Sequence, residues 1–129
     1  MKEDPLFLLN CVAQSIYDKK GFNILGLDLR GISSLTDFVL IAEGSACKHV
    51  SAIADEIIKK LKTMGIHPLY TAGLTHGDWV VLDYHTLMIH LFMPGLRDKY
   101  MLEQLWKDSA IVDLQIEVEP PFHAVKTAQ

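Results

Sequence analysis

The sequence has little cysteine and little arginine, and each scarcity excludes something. Only Cys11 and Cys47 are present, far apart and without a C-x-x-C pair, so neither a disulfide framework nor a zinc module is indicated and a reducing, cytoplasmic setting fits. Arg30 and Arg97 are the only arginines, and the net charge is -4. Phosphate backbones are bound chiefly by Lys and Arg, so little direct contact with RNA or DNA is expected. The Lys59, Lys60, Lys62 cluster reads as a solvated helix face. No long apolar run exists: the stretch after Pro5 is broken by Asn10, Gln14 and Asp18, which argues against a signal peptide or membrane span. What remains is a chain of 129 residues, 50% hydrophobic and 22% charged, enough to bury the core of a single domain.

Asp4-Pro5 is a helix start, because Asp accepts from unpaired first-turn N–H groups and Pro has none to offer. Leu6, Leu9, Ala13, Ile16 and Tyr17 follow at helical spacing, and Lys19-Lys20-Gly21 predicts a left-handed end. Phe22 to Leu29 reads as a strand. Asp37 to Glu43 reads as another, and its unbroken Phe38-Val39-Leu40-Ile41-Ala42 predicts burial on both faces. Ser45 is expected to cap a second helix carrying Val50, Ile53, Ala54, Ile57, Ile58, Leu61 and Met64 on one stripe, ended by Gly65. Pro68 to Thr71 predicts a short edge strand. Trp79 to Leu82 and Leu87 to Phe92 predict a hairpin joined by Asp83-Tyr84-His85-Thr86. A last helix is expected from Asp98, with Met101, Leu102, Leu105 and Trp106 inward. Val112 to Val118 predicts a further strand before a loose tail. Helices alternating with strands, one pair antiparallel, give a mixed α/β sheet covered by helices.

Catalytic signatures are missing. His49, His67, His76, His85, His90 and His123 form no H-x-x-x-H on a helix and no H-E-x-x-H, so no metal is assigned. Ser33, Ser34 and Ser45 lack a nucleophile elbow, and there is no phosphate loop or magnesium-binding carboxylate pair. His90, flanked by Ile89 and Leu91 on a strand, needs a hydrogen-bond partner, either within the fold or on another molecule. Phe92 reads as core. Trp79 and Tyr84 flank Val80-Val81-Leu82 where rings can face outward, and on pattern alone they are core or contact. A rival reading is a nucleotide- or phosphate-handling enzyme using Gly44-Ser45 with Asp28 or Asp37.

Several spaced motifs together carry a resemblance. They are Leu27-Asp28-Leu29-Arg30-Gly31 with Ser33-Ser34-Leu35-Thr36-Asp37, then Gly44-Ser45 with Lys48-His49-Val50 and Ile53-Ala54-Asp55. Asp78-Trp79-Val80-Val81-Leu82-Asp83-Tyr84, Ile89-His90-Leu91-Phe92, and Arg97 to Tyr100 with Leu102 to Trp106 follow in order. From Leu6 to Lys107 the chain resembles the ribosomal silencing factor, or Iojap-like, family. The resemblance implies a single domain over residues 1–108, mixed α/β and like nucleotidyltransferases without their catalytic residues, and leaves 109–129 as an extension. It implies a homodimer in isolation, no enzyme activity and no cofactor. It further implies binding to large-subunit ribosomal protein fourteen, on the large ribosomal subunit, so as to hinder joining of the small subunit when nutrients are scarce. By motif position Trp79 and Tyr84 would be the main contacts, with Lys48, His49, His90 and Met93 beside them. The Tyr84 position holds leucine in some relatives. Lys48 stands where the family usually has arginine, so a forked hydrogen bond becomes a point charge.

Overall fold

The computed structural model describes residues 4–96 and 109–118. Helix α1 spans Pro5–Asp18, and Asp4 caps it as expected, its carboxylate accepting from the Leu6 N–H at 3.1 Å. The left-handed residue after α1 is Lys20 (φ 70°) rather than Gly21. Gly21 is required for space instead: a Cβ there would press on Ile16 and lie 3.2 Å from Ile53 Cδ1. Helix α2 spans Cys47–Thr63 and stops at a left-handed Gly65 (φ 76°), as its sequence predicts. Its cap differs from expectation. Ala46 holds the capping position without a side-chain hydrogen bond, one residue after Ser45, whose backbone N–H donates to His49 Nδ1 at 2.8 Å.

Six strands form one mixed sheet in the order β3-β4-β5-β2-β1-β6. They are β1 (Phe22–Asp28), β2 (Phe38–Glu43), β3 (Tyr70–Ala72), β4 (Trp79–Asp83), β5 (Leu87–Phe92) and β6 (Ala110–Val112). Among the described residues only β2 and β5 pair in parallel, Phe38 opposite Leu87 through Glu43 opposite Phe92. Every residue of β2 is buried, as its unbroken apolar run predicts. The expected edge strand forms two residues later than Pro68. The β4–β5 hairpin closes through Tyr84–Thr86, with His85 at φ 73° and the Tyr84 N–H donating to Leu87 O at 2.9 Å. The expected strand over 112–118 begins earlier and ends at Val112, because the N–H groups beyond it turn to α1 instead of β1. The helix expected from Asp98 lies outside the described residues.

The sheet has two unequal faces. Phe38, Leu40, Val80, Leu82, Leu87, Ile89 and Leu91 point to α1 and α2 and form the main core with Leu9, Ile16, Ile53 and Ile57. The opposite face carries Leu27, Val39, Ile41 and Phe92, with Trp79 and Met88 half-buried beside them. Tyr84 belongs to the first face, and its ring is 7% exposed. That corrects the expectation of an outward ring. The alternation of β4 simply continues into the turn, and Tyr84 falls on the same side as Val80 and Leu82. Its hydroxyl is buried without a hydrogen-bond partner among the described residues, and burial pushes the phenol up to about 12.

Two outcomes follow for stability. Gly77 sits at φ +72° under α2, where a Cβ would press on the Cys47 carbonyl and lie 2.6 Å from Ser51 Oγ. Gly77→Ala should therefore cost about 2 kcal/mol or more in urea unfolding. Tyr84→Phe removes an unsatisfied buried hydroxyl and should leave stability level or raised by up to about 1 kcal/mol, whereas Tyr84→Ala should lose about 3 kcal/mol.

Candidate functional site

Strand register makes the site. Trp79 lies opposite Phe92 and Val81 opposite His90, so Trp79, His90 and Phe92 share the sheet face turned away from the helices. The Trp79 indole donates from Nε1 to His90 Nδ1 at 3.1 Å, and stacks on Phe92 at 5.3 Å between centroids, 28° between planes. His90 in turn lies nearly parallel to Phe92, at 6.2 Å and 10°. Accepting at Nδ1 puts the imidazole proton on Nε2. Burial pushes His90 down from 6.5 to about 4, so the ring is neutral at pH 7 and able to hold the indole. Phe92 is fully buried, as its sequence reading predicts.

The chain on either side converges on the same end of the sheet. Trp79 N–H donates to Asp78 Oδ1 at 2.9 Å, and Met93 N–H donates to the Asp78 carbonyl at 3.0 Å. Gly44 N–H donates to Phe92 O at 2.9 Å, which carries the end of β2 and the start of α2 to Met93. Cys47 Sγ meets Met93 Sδ at 2.9 Å. A shallow pocket of about 250 Å³ beside this pair is lined by Cys47, Lys48, Ser51, Leu74, Thr75 and His76. Trp79, His90, Met93, Lys48 and His49 thus lie toward one end of the sheet, the Trp79 and His90 rings on the open face and Met93, Lys48 and His49 on the helix side. Tyr84 is not among them: five residue steps along β4 put it roughly 16 Å from Trp79, with its ring on the helix side. Cys47 is the member that residue patterns missed, because a lone cysteine without a paired motif gave no signal.

His49 is committed to the backbone at both nitrogens. Its Nε2 donates to the Lys19 carbonyl at 2.7 Å and its Nδ1 accepts from Ser45 N–H, so the ring ties the end of α1 to the start of α2. Ser45 Oγ is also 3.1 Å from Nδ1. The single lone pair there already receives the amide, and Nε2 faces a carbonyl rather than a carboxylate, which is a poor arrangement for a serine–base pair. Lys48, next along the helix, is exposed.

Asp28, Asp37 and Asp83 lie at the opposite end, where β1 and β4 finish and β2 begins, with β2 and β5 between Asp28 and Asp83. Arg30 forks onto Asp28 (Nη2 to Oδ2 2.8 Å) and holds its carboxyl below the usual range, while its guanidinium lies 4.9 Å above the Phe38 ring. Asp83 accepts from the His85 N–H at 2.8 Å. Gly44-Ser45 is separated from Asp28 and Asp37 by the length of β2, roughly 20 Å. Among the described residues no three His, Cys, Asp or Glu side chains gather as metal ligands, and no helix is long and apolar enough to cross a membrane.

Comparison with known proteins agrees with this architecture. The family model "Ribosomal silencing factor during starvation" matches residues 2–129. A ribosomal silencing factor from Zymomonas mobilis is 36% identical over 103 residues, covering 80% of this chain and 77% of the relative. The mouse protein named mitochondrial assembly of ribosomal large subunit protein 1 is 30% identical over 74 residues, 55% of this chain and 32% of that protein. A crystal structure of a protein from Bacillus halodurans superposes with a TM-score of 0.75 at 34% identity, over 84% of this chain and 98% of the other. With a motif match along nearly the whole chain and the same mixed sheet in a related structure, the chain belongs to the ribosomal silencing factor family.

Proposed function

We propose that this chain binds the large ribosomal subunit through ribosomal protein fourteen and blocks joining of the small subunit by occupying space. The observation that carries this reading is the Trp79 indole, half-exposed at the sheet end yet held by a hydrogen bond to His90 and a stack on Phe92. An aromatic anchor whose rotamer is already fixed loses little entropy on docking, and tryptophan is prominent among residues that dominate interface energies. Met93, whose N–H is tied to the Asp78 carbonyl, adds half-buried apolar surface at the same end on the helix side. Exposed Lys48 supplies a rim charge that steers association without a deep ion pair. A chain of net charge -4 can approach an RNA-rich particle by selecting a protein patch on it.

Tyr84 enters this reading as support for the hairpin, not as an anchor, because its ring is in the core. His49 likewise serves by fixing the start of α2. Obstruction asks for a rigid surface and no chemistry, so we read the chain as non-enzymatic, cytoplasmic and without cofactor. The mouse relative's name, which joins it to large-subunit assembly, supports the choice of subunit. Off the ribosome we take the chain to be a homodimer, in keeping with the family resemblance.

Trp79→Ala should weaken cosedimentation with purified large subunits about 30-fold or more, a loss of roughly 2 kcal/mol, while far-UV circular dichroism stays unchanged. Normal cosedimentation by a folded variant would remove Trp79 as the anchor. His90 gives a pH test. Its folded pKa of about 4 lies below the unfolded value of 6.5, so the unfolded chain binds the extra proton between them. The stability that neutral His90 contributes is complete above about pH 6.5 and falls toward pH 4, by on the order of 3 kcal/mol. In urea unfolding across that range, His90→Gln should show a shallower fall than the unaltered chain; equal slopes would contradict the burial argument.

A further inference from the structure

Residues 113–118 run along α1 as a segment that pairs with no strand among the described residues. Such a segment must still satisfy its backbone N–H groups. It does so on two carboxamides: Gln115 N–H donates to Asn10 Oδ1 at 2.9 Å, and Glu117 N–H donates to Gln14 Oε1 at 2.7 Å. Gln14 Nε2 returns a hydrogen bond to the Glu117 carbonyl at 3.2 Å. The spacing explains the fit. Four residues of helix rise about 6 Å and two residues of extended chain span about 6.6 Å, so side chains at i and i+4 of α1 meet alternate amides as a neighbouring strand would.

Side chains on the segment alternate in step. Val112, Leu114 and Ile116 are half-buried against the main core, while Asp113, Gln115 and Glu117 are exposed. Leu114 fills a notch at Gly26 of β1, where a Cβ would lie 2.9 Å from Leu114 Cδ2 and 3.5 Å from Val112 Cβ. The far end is loosely held. A cavity of about 350 Å³ opens between Tyr17, Asp18 and Lys20 on one side and Glu117 and Val118 on the other, and Val118 is 64% exposed.

We propose that the groove between α1 and β1 is a binding site for an extended polypeptide with apolar residues at alternate positions. The chain's own residues 112–118 occupy it and, together with the short edge strand β6, dock and release as a unit while the other five strands stay folded. Recognition is of backbone by Asn10 and Gln14 and of three alternate apolar side chains by the notch and its flanks, so Asp113, Gln115 and Glu117 are free to vary. The strap therefore acts as a ligand built into the chain.

Hydrogen exchange on the full chain tests this. The Gln115 and Glu117 amides should exchange at least about 10-fold faster than those of Leu40 and Ile89. Asn10→Ala with Gln14→Ala, which leaves the apolar core untouched, should speed the first pair about 10-fold further and leave the second pair unchanged. Equal rates for all four amides, or equal acceleration of all four by the double variant, would overturn the proposal. In a second arm, Leu114→Asp should expel the strap, and a fluorescent peptide of residues 111–118 should bind that variant saturably and the unaltered chain far more weakly. If Leu114→Asp folds by circular dichroism but does not take the peptide, the groove is no binding site; if it does not fold, the exchange result decides alone.

Discussion

The parallel pairing of β2 with β5 is the constraint from which the rest follows. Parallel neighbours cannot be joined by a tight turn, so the chain must return to the starting end of β2 before β5 begins. Here the return is made by α2, β3 and β4. Because β4 then runs antiparallel to β5, its first residue, Trp79, lies beside the last residue of β5, Phe92, at the end where β2 also stops and α2 starts. Trp79, Met93, Cys47 and Lys48 are separated along the chain and brought to one end of the sheet for this one topological reason, Trp79 on one face and the others on the helix side. The acidic residues Asp28, Asp37 and Asp83 are sent to the opposite end by the same rule. A single choice of strand direction thus decides which residues meet at each end of the sheet.

Much of this was legible in residue patterns, and the exceptions have local causes. Asp4-Pro5, the five-residue apolar run of β2, the stripe of α2 and the hairpin all rest on periodicity or capping chemistry, which act over a few residues. Tyr84 escaped because its place at a turn suggested an outward ring, although the alternation that buries Val80 and Leu82 carries on to it and sets it on the same face. Ser45 has the chemistry of a cap, yet its amide is claimed by His49, a residue held from the far side by α1. Asn10 and Gln14 were readable only as interruptions of an apolar helix. Their purpose lies about a hundred residues downstream, in a segment whose alternation resembles a strand but whose partner is a helix.

The proposed action by obstruction has requirements different from those of an enzyme. It needs no group with a perturbed affinity for protons at the working surface, and it needs that surface not to yield. The two groups whose proton affinities are moved furthest, His90 and Tyr84, are both shifted by burial alone, which marks them as parts of the scaffold. Rigidity at the aromatic end comes from shared hydrogen bonds: Asp78 serves Trp79 with its carboxylate and Met93 with its carbonyl, and Phe92 receives the amide of Gly44. The ring most available to a partner is thereby fastened to three separate stretches of chain.

Both outer strands of the sheet are only three residues long. An open sheet ordinarily carries the hazard that its unpaired rim templates pairing with another molecule, and β3 adds exposed Leu69 and Tyr70 to that rim. Three residues offer an incoming chain too few backbone groups to overcome the entropy of aligning it. Brevity at the margins thus acts as a safeguard against edge-to-edge polymerisation, allowing a chain with apolar side chains on both faces of its sheet to remain dispersed where copies of it are crowded.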